Sequence, residues 1–204
     1  QTILVMEEVT WGKTLTKHLS GGHLSVEQTL KVAIQLFEAL EFIHRQGVVH
    51  RDLSTGNIIL SVDLDRCILI DFGLASSLPD EPSFIGTESV HGTLAYLSPE
   101  QTGRMNRVVD YRSDYYSAGA LMYHMLIGTP PFTSDDPTEL VHAHIARQAV
   151  PLTVRNPSIP AMVSDITMKL LQKAAEARYQ DTTVLRADLQ RCLDAMREYG
   201  RIEP

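Results

Sequence analysis

Two acids and an amide stand at spacings that could support one reaction. Asp52 lies in the run His50-Arg51-Asp52-Leu53-Ser54-Thr55-Gly56-Asn57, five positions before Asn57. Asp71 opens Asp71-Phe72-Gly73, nineteen positions past Asp52 and directly behind the apolar run Cys67-Ile68-Leu69-Ile70. A carboxylate can orient and deprotonate an attacking hydroxyl, and side-chain oxygens can hold magnesium against phosphates. On that chemistry Asp52 is the candidate base, and Asn57 and Asp71 are the candidate metal ligands for phosphoryl transfer from a nucleotide. The short spacing lets Asp52 and Asn57 point into one cleft. A hairpin after Asn57 would return Asp71 to the same side. Any one of these residues alone reads as a turn former or cap; their joint order carries the signal.

The surrounding pattern supplies elements to position them. Gln1–Met6 reads as a short buried strand, Glu7–Gly12 as a break, and Thr14–Leu19 as a helical turn closed by Ser20-Gly21-Gly22. Ser25 is a candidate N-cap for a long helix, with Glu27 in its first turn. Val26, Leu30, Ala33, Ile34, Phe37, Leu40 and Ile43 share one apolar face, and Gly47 ends the helix. Ile58–Leu60 and Cys67–Ile70 form a predicted hairpin about the turn at Asp63–Asp65. Phe72 to Leu97 lacks periodicity and reads as a long loop, a length that in a compact domain points to function. Asp110–Ile127 is apolar on most sides, as a central helix must be. Thr138–Arg147 is a short helix, and Val150–Pro160, with three prolines, reads as loop. Ala161–Lys173 and Thr183–Tyr199 are closing amphipathic helices. The expected fold is mainly α with a small β-hairpin, in one domain spanning 1–204.

Composition narrows the function classes. A net charge of −7 argues against nucleic acid or an anionic membrane as main partner. Neither an eighteen-residue apolar stretch nor a signal peptide is present. Cys67 and Cys192 read as buried free thiols of a reducing, cytoplasmic compartment. His142 and His144, two apart on a short helix, point to different faces and do not read as a metal site. Gly21-Gly22 reads as a turn.

The order His50-Arg51-Asp52, Asn57, Asp71-Phe72-Gly73 and Ser98-Pro99-Glu100 resembles the catalytic loop, metal-binding triplet and activation-loop end of eukaryotic-type protein kinases. The resemblance runs from the hinge onward. It implies the large, C-terminal lobe of the kinase fold, with ATP and Mg2+ as cofactors and a protein as substrate. Met6 resembles the gatekeeper. Glu7 and Val9 resemble the hinge residues that bind the adenine edge, and Ile59 the apolar floor beneath it. His50 and Phe72 look like the stacked pair joining the catalytic loop to the triplet. Asp114 is similar to the helix Asp that holds the catalytic-loop backbone, with Tyr115 where Trp is usual. Glu100 and Arg178 resemble the ion pair that fixes the end of the activation loop. Gly92-Thr93 ahead of Tyr96-Leu97-Ser98-Pro99-Glu100-Gln101 resembles bacterial Ser/Thr kinases, which implies that Thr93 hydrogen-bonds near Asp52, positions the substrate loop and helps select Ser or Thr substrates. Ser83, Thr87 and Ser89 are candidate acceptors of an activating phosphate that Arg51 would pair with. The run Gly92–Arg107 looks like the kinase module of large bacterial signalling proteins, in which an ATPase region and a sensor histidine kinase follow.

Three departures bear on activity. Ser54 occupies the position where Ser/Thr kinases carry a phosphate-contacting Lys, and Lys13 stands near where an acidic ribose contact is common. No Gly-x-Gly occurs, and Val32-Ala33-Ile34 continues into Gln35 within a helical pattern. The start at Gln1 reads as a cut through a larger protein, so these 204 residues are expected to transfer little phosphate by themselves and to expose an apolar cleft around Met6, Val9 and Ile59. Two functions follow: a Ser/Thr protein kinase, or a kinase-like module that recruits partners without phosphoryl transfer.

Overall fold

The computed structural model describes residues 9–77, 94–105, 107–200 and 202. The predicted strand at 1–6, Met6, Glu7, Ser83, Thr87, Ser89, Gly92 and Thr93 lie outside the described residues.

Helices dominate, as the periodicity predicts. Helix α2 (Val26–Arg45) begins at Ser25, whose hydroxyl accepts from the Gln28 amide at 3.1 Å while Gln28 Oε1 accepts from the Ser25 amide at 2.9 Å. This reciprocal capping satisfies two of the donors a helix start leaves unpaired. The helix buries Leu30, Ala33, Leu36, Phe37 and Leu40, each worth about 1.5–3 kcal/mol for the larger side chains. Helix α3 (Tyr111–Ile127) is buried on every side from Ser113 to Met125, save His124, and forms the axis of the core. Helix α6 (Ala161–Leu170) crosses it so closely that a Cβ on Gly119 would stand 2.6 Å from the Leu170 Cβ. Helix α7 (Thr182–Tyr199), capped by Asp181, lies along α2 and is tied to it by Arg186–Glu41 at 2.8 Å and Arg197–Glu27 at 3.2 Å. The short helices α1 (Leu15–Leu19) and α4 (Pro137–Ala146) stand close to their predicted places.

Three features depart from the sequence reading. A strand β1 (Gly12–Thr14) falls within and just after the stretch read as a break and pairs antiparallel with β3 (Ile58–Ser61), Thr14 opposite Ile59. Gly12 is required there, since a Cβ would meet Ile59 Cγ2 at 2.5 Å and the Leu60 carbonyl at 2.9 Å. Within the stretch read as loop, Ser76–Ser77 (β5) pairs with Val48–Val49 (β2), and Leu94–Tyr96 forms a 3-10 turn. One turn of helix, α5 (Leu152–Arg155), interrupts the proline-rich segment, started by Pro151, whose fixed φ suits a first turn.

The expected hairpin is present. Strand β3 pairs with β4 (Cys67–Leu69), Ile58 opposite Leu69 and Ile59 opposite Ile68, giving a three-stranded antiparallel sheet in the order β1-β3-β4. No helix among the described residues is long and apolar enough to cross a membrane.

Candidate active site

The catalytic loop leaves β2 at His50 and is held first by its backbone. Asp114, 1% exposed in the first turn of α3, accepts from the His50 amide through Oδ2 and from the Arg51 amide through Oδ1, each at 2.9 Å. His44 Nε2 donates to the same Oδ2 at 2.8 Å. Arg51 has φ 65, a left-handed conformation that costs a non-glycine residue about 1–2 kcal/mol. The paired contacts from Asp114 stabilise that turn, as the sequence resemblance implies for this Asp.

His50 is fully buried, and its two ring nitrogens face opposite partners. The Asp52 amide donates to Nδ1 at 3.3 Å, and Nε2 lies 3.2 Å from the Ile70 carbonyl. An amide can only donate and a carbonyl only accept, so the ring proton resides on Nε2. The His50 ring packs on Phe72 at 4.7 Å between centroids. One side chain thus joins the residue before Asp71 to the residue bearing the candidate base.

Asn57 closes the set. Its Nδ2 donates to the Asp52 carbonyl and to Asp52 Oδ2, both at 2.9 Å. With the amide nitrogen occupied, Oδ1 is the Asn57 atom left to meet a cation. The hairpin register carries Ile70 back so that its amide donates to the Asn57 carbonyl at 3.0 Å. Asp71 follows at once, exposed, with φ 63, and its Oδ1 accepts from the Gly73 amide at 3.1 Å. Asp52, Asn57 and Asp71 are therefore gathered by one loop and one hairpin. Among the described residues no group of three or more His, Cys, Asp or Glu is placed to hold a metal ion. Two oxygen donors, Asn57 and Asp71, fit magnesium, which keeps water and substrate phosphate oxygens as its remaining ligands.

The other candidates are distributed around this cluster. Ile59 is half-buried on β3, on the face opposite the buried Ile58 and Leu60. Val9 is half-buried, and Lys13 is exposed on β1. An open apolar groove of about 740 Å3 is lined by Trp11, Phe42, Ile43, Ile68, Leu69 and Phe72 among others. Ile68, the cross-strand partner of Ile59, belongs to that wall, but Val9 and Ile59 do not. Ser54 is buried at 8% exposure, and its carbonyl accepts from the Asn57 amide at 3.2 Å. Glu7 and Thr93 lie outside the described residues.

The Glu100–Arg178 pair is buried and bidentate, at 2.6 and 2.8 Å. Ser113 adds a 2.7 Å hydrogen bond to Glu100, and Arg178 donates to the Gln172 and Arg112 carbonyls at 2.8 and 2.7 Å. Burial at this depth is sustained because the charges and remaining protons all find partners. Burial pushes the Cys67 and Cys192 thiols up, to about 12 and about 11, which disfavours the thiolate form. Cys67 is only half-buried by exposure, less enclosed than the sequence suggests.

Sequence reasoning missed two side chains that hold the loop. Gln101 reaches the loop directly, at the Arg51 carbonyl 50 residues away, and His44 acts through Asp114, 70 residues away. His44 leaves no periodic or spacing signal, and Gln101, although it closes the run Tyr96–Gln101, gives no sign in the sequence that it reaches Arg51.

Comparison with known proteins gives the family. The model of the protein kinase domain family matches residues 1–189. A probable serine/threonine-protein kinase of Streptomyces coelicolor is 38% identical over 193 residues, covering 94% of this chain and 28% of that protein. The serine/threonine-protein kinase PknB of Mycobacterium leprae is 36% identical over 187 residues, covering 91% and 29%. PknB of Mycobacterium tuberculosis is 36% identical over 190 residues, covering 92% and 30%. The chain thus spans less than a third of the length of these relatives. With the family model matched over nearly the whole chain, and His50, Asp52, Asn57 and Asp71 gathered as that resemblance implies, the chain belongs to the protein kinase family.

Proposed function

We propose that the protein is an ATP- and magnesium-dependent serine/threonine protein kinase. In this reading Asp52 is the base, and Asn57 and Asp71 are the magnesium ligands. The observation that carries it is a pair of tethers: Asn57 locks Asp52 through two 2.9 Å hydrogen bonds, and its carbonyl accepts from the amide of Ile70, the residue before Asp71, at 3.0 Å. Matches to relatives named as serine/threonine kinases support the substrate class.

The reaction follows from those roles. Asp52 orients a Ser or Thr hydroxyl and takes its proton as the oxygen bonds to the γ-phosphorus. The bond to the bridging oxygen breaks, and ADP leaves. Magnesium, when bound, neutralises the phosphate oxygens and aligns them. Asn57 serves twice: its Nδ2 fixes Asp52, and its Oδ1 is available to the cation. Glu7, Val9 and Ile59 would contact the adenine, Thr93 would position the substrate loop, and Arg51 would pair with an activating phosphate. A cytoplasmic location accords with ATP as phosphate donor and with two free thiols. The greater length of the relatives supports further signalling domains in the full-length protein. Nothing in the comparisons favours a kinase-like module without transfer, although Ser54 brings no charge where a Lys is usual.

The test is transfer of labelled γ-phosphate to protein Ser and Thr hydroxyls by the full-length protein. Asp52→Asn should lower the rate by at least about 100-fold, with folding unchanged by circular dichroism. An undiminished rate in that variant refutes the assignment.

A further inference from the structure

The segment Ser98–Thr102 reaches the catalytic loop through one side chain. Gln101, in the 3-10 turn Glu100–Thr102, is buried at 7% exposure. Its Oε1 accepts from the Ser98 amide at 3.1 Å and the Ser98 hydroxyl at 2.8 Å, and its Nε2 donates to the Arg51 carbonyl at 2.6 Å. Of the two orientations of a carboxamide, only this one gives the Ser98 N–H an acceptor and the Arg51 carbonyl a donor. An ionised Glu at 101 would keep the acceptor and lose the donor. A Met of similar length would lose both.

Arg51 is where such a tether has most effect. Its φ of 65 is strained, and its amide is already tied to Asp114 at 2.9 Å. Asp114 fixes the peptide group entering Arg51, and Gln101 fixes the one leaving it. That second peptide group leads directly into Asp52, so its rotation would swing the carboxylate. Gln101 is a firm anchor because the preceding residue, Glu100, is locked by Arg178 and Ser113.

We propose that Gln101 is a positioning residue for phosphoryl transfer: through the Arg51 carbonyl it ties the orientation of Asp52 to the placement of the Ser98–Glu100 segment. The proposal rests on the kinase reading of Asp52, and one of its two readouts does not depend on that reading.

Both use full-length protein carrying Gln101→Met or Gln101→Glu. The first is hydrogen exchange followed by mass spectrometry. Amides of residues 50–53 should exchange roughly tenfold faster in Gln101→Met, while those of α3 and α7 keep their parent rates. The second is steady-state transfer from ATP to casein. The turnover kcat should fall about 10- to 100-fold, with KM for ATP within about twofold of the parent. In Gln101→Glu the ratio of variant to parent turnover should rise as pH falls from 8 toward 6, because a protonated carboxyl donates to the Arg51 carbonyl again. Unchanged exchange at 50–53 in a folded variant overturns the proposal, as does unchanged kcat against an active parent. A parent without transfer activity removes the kinase reading instead, and exchange then decides alone. Should Gln101→Met fail to fold, Gln101→Glu, which retains an acceptor for Ser98, carries both readouts.

Discussion

The first turn of α3 and its remaining turns hold the protein together by different forces. In the first turn, Ser113 and Asp114 are buried polar groups that reach outward, to Glu100, His44 and the backbone of His50 and Arg51. In the later turns, Ala118, Leu121, Met122 and Met125 are fully buried and contribute through apolar packing. Apolar burial is non-directional and tolerates adjustment. A buried hydrogen bond is directional, and losing one partner leaves the other unsatisfied at full cost. The loop carrying Asp52 is thus held where geometry is fixed most sharply, by contacts least tolerant of substitution.

Removing Asp114 tests this most severely. Asp114→Ala strands the donors of His44, His50 and Arg51 together. We expect a loss of about 3–5 kcal/mol in chemical denaturation and a fall of at least about 100-fold in phosphate transfer by the folded fraction. A variant with normal turnover would show that the strained Arg51 turn is held by other contacts. Arg178→Leu acts one step further out. It leaves the Glu100 carboxylate, at 3% side-chain exposure, with Ser113 as its one side-chain partner among the described residues, and should cost about 3 kcal/mol. The Ser98–Glu100 segment should loosen with it, visible as faster hydrogen exchange.

Leu121→Ala probes the other side of the comparison. The residue is fully buried in the middle of α3, and the cavity should cost about 3 kcal/mol. Turnover at a temperature where the variant stays folded should match the parent, because no polar tether to the loop is touched. A parallel loss of kcat would mean that the two parts of α3 are mechanically coupled.

The same division decides what was legible from sequence. Helices α2 and α7 were readable because apolar residues recur at helical spacing, with Ser25 placed to cap the first, and α3 because it is apolar on most sides; the caps Asp110 and Asp181 emerge only in the structure. The loop with Asp52 and Asn57, and the triplet at Asp71, were readable because their chemistry needs fixed residue types at fixed separations. Strand β1 was not: Gly12-Lys13-Thr14 has no apolar alternation and becomes a strand only because β3 offers an edge. Strand β5 is two serines that pair with Val48–Val49 for the same reason. The roles of His44 and Gln101 were invisible because each acts through one long-range hydrogen bond, which depends on how the whole fold brings two distant segments together rather than on any local pattern.

Acidification separates the two kinds of burial by a smaller effect. His144 on α4 is 1% exposed, with Nδ1 3.0 Å from the Tyr116 hydroxyl and its ring edge-on to Tyr116 and Phe132. Burial first, and the neighbouring Lys173 second, push its pKa down to about 3. Lys173 is itself lowered, to about 8, by burial and then by Arg178. The folded pKa of His144 lies below the value of 6.5 for an unperturbed histidine, so between them the unfolded chain binds a proton that the folded chain refuses. Stability from this group is full above pH 6.5 and is lost progressively as pH falls toward 3, by at most about 1.4 kcal/mol per pH unit. His124, lowered by burial, adds to the same acid limb. His144→Leu should therefore flatten the fall in stability between pH 6.5 and 5, measured by urea unfolding at each pH, while leaving the His124 contribution. It should leave hydrogen exchange at residues 50–53 unchanged, because His144 has no hydrogen bond to the Asp114 cluster. An acid limb as steep as the parent's would place the titrating group elsewhere, and faster exchange at 50–53 would show that the apolar and polar halves of the α3 scaffold are coupled.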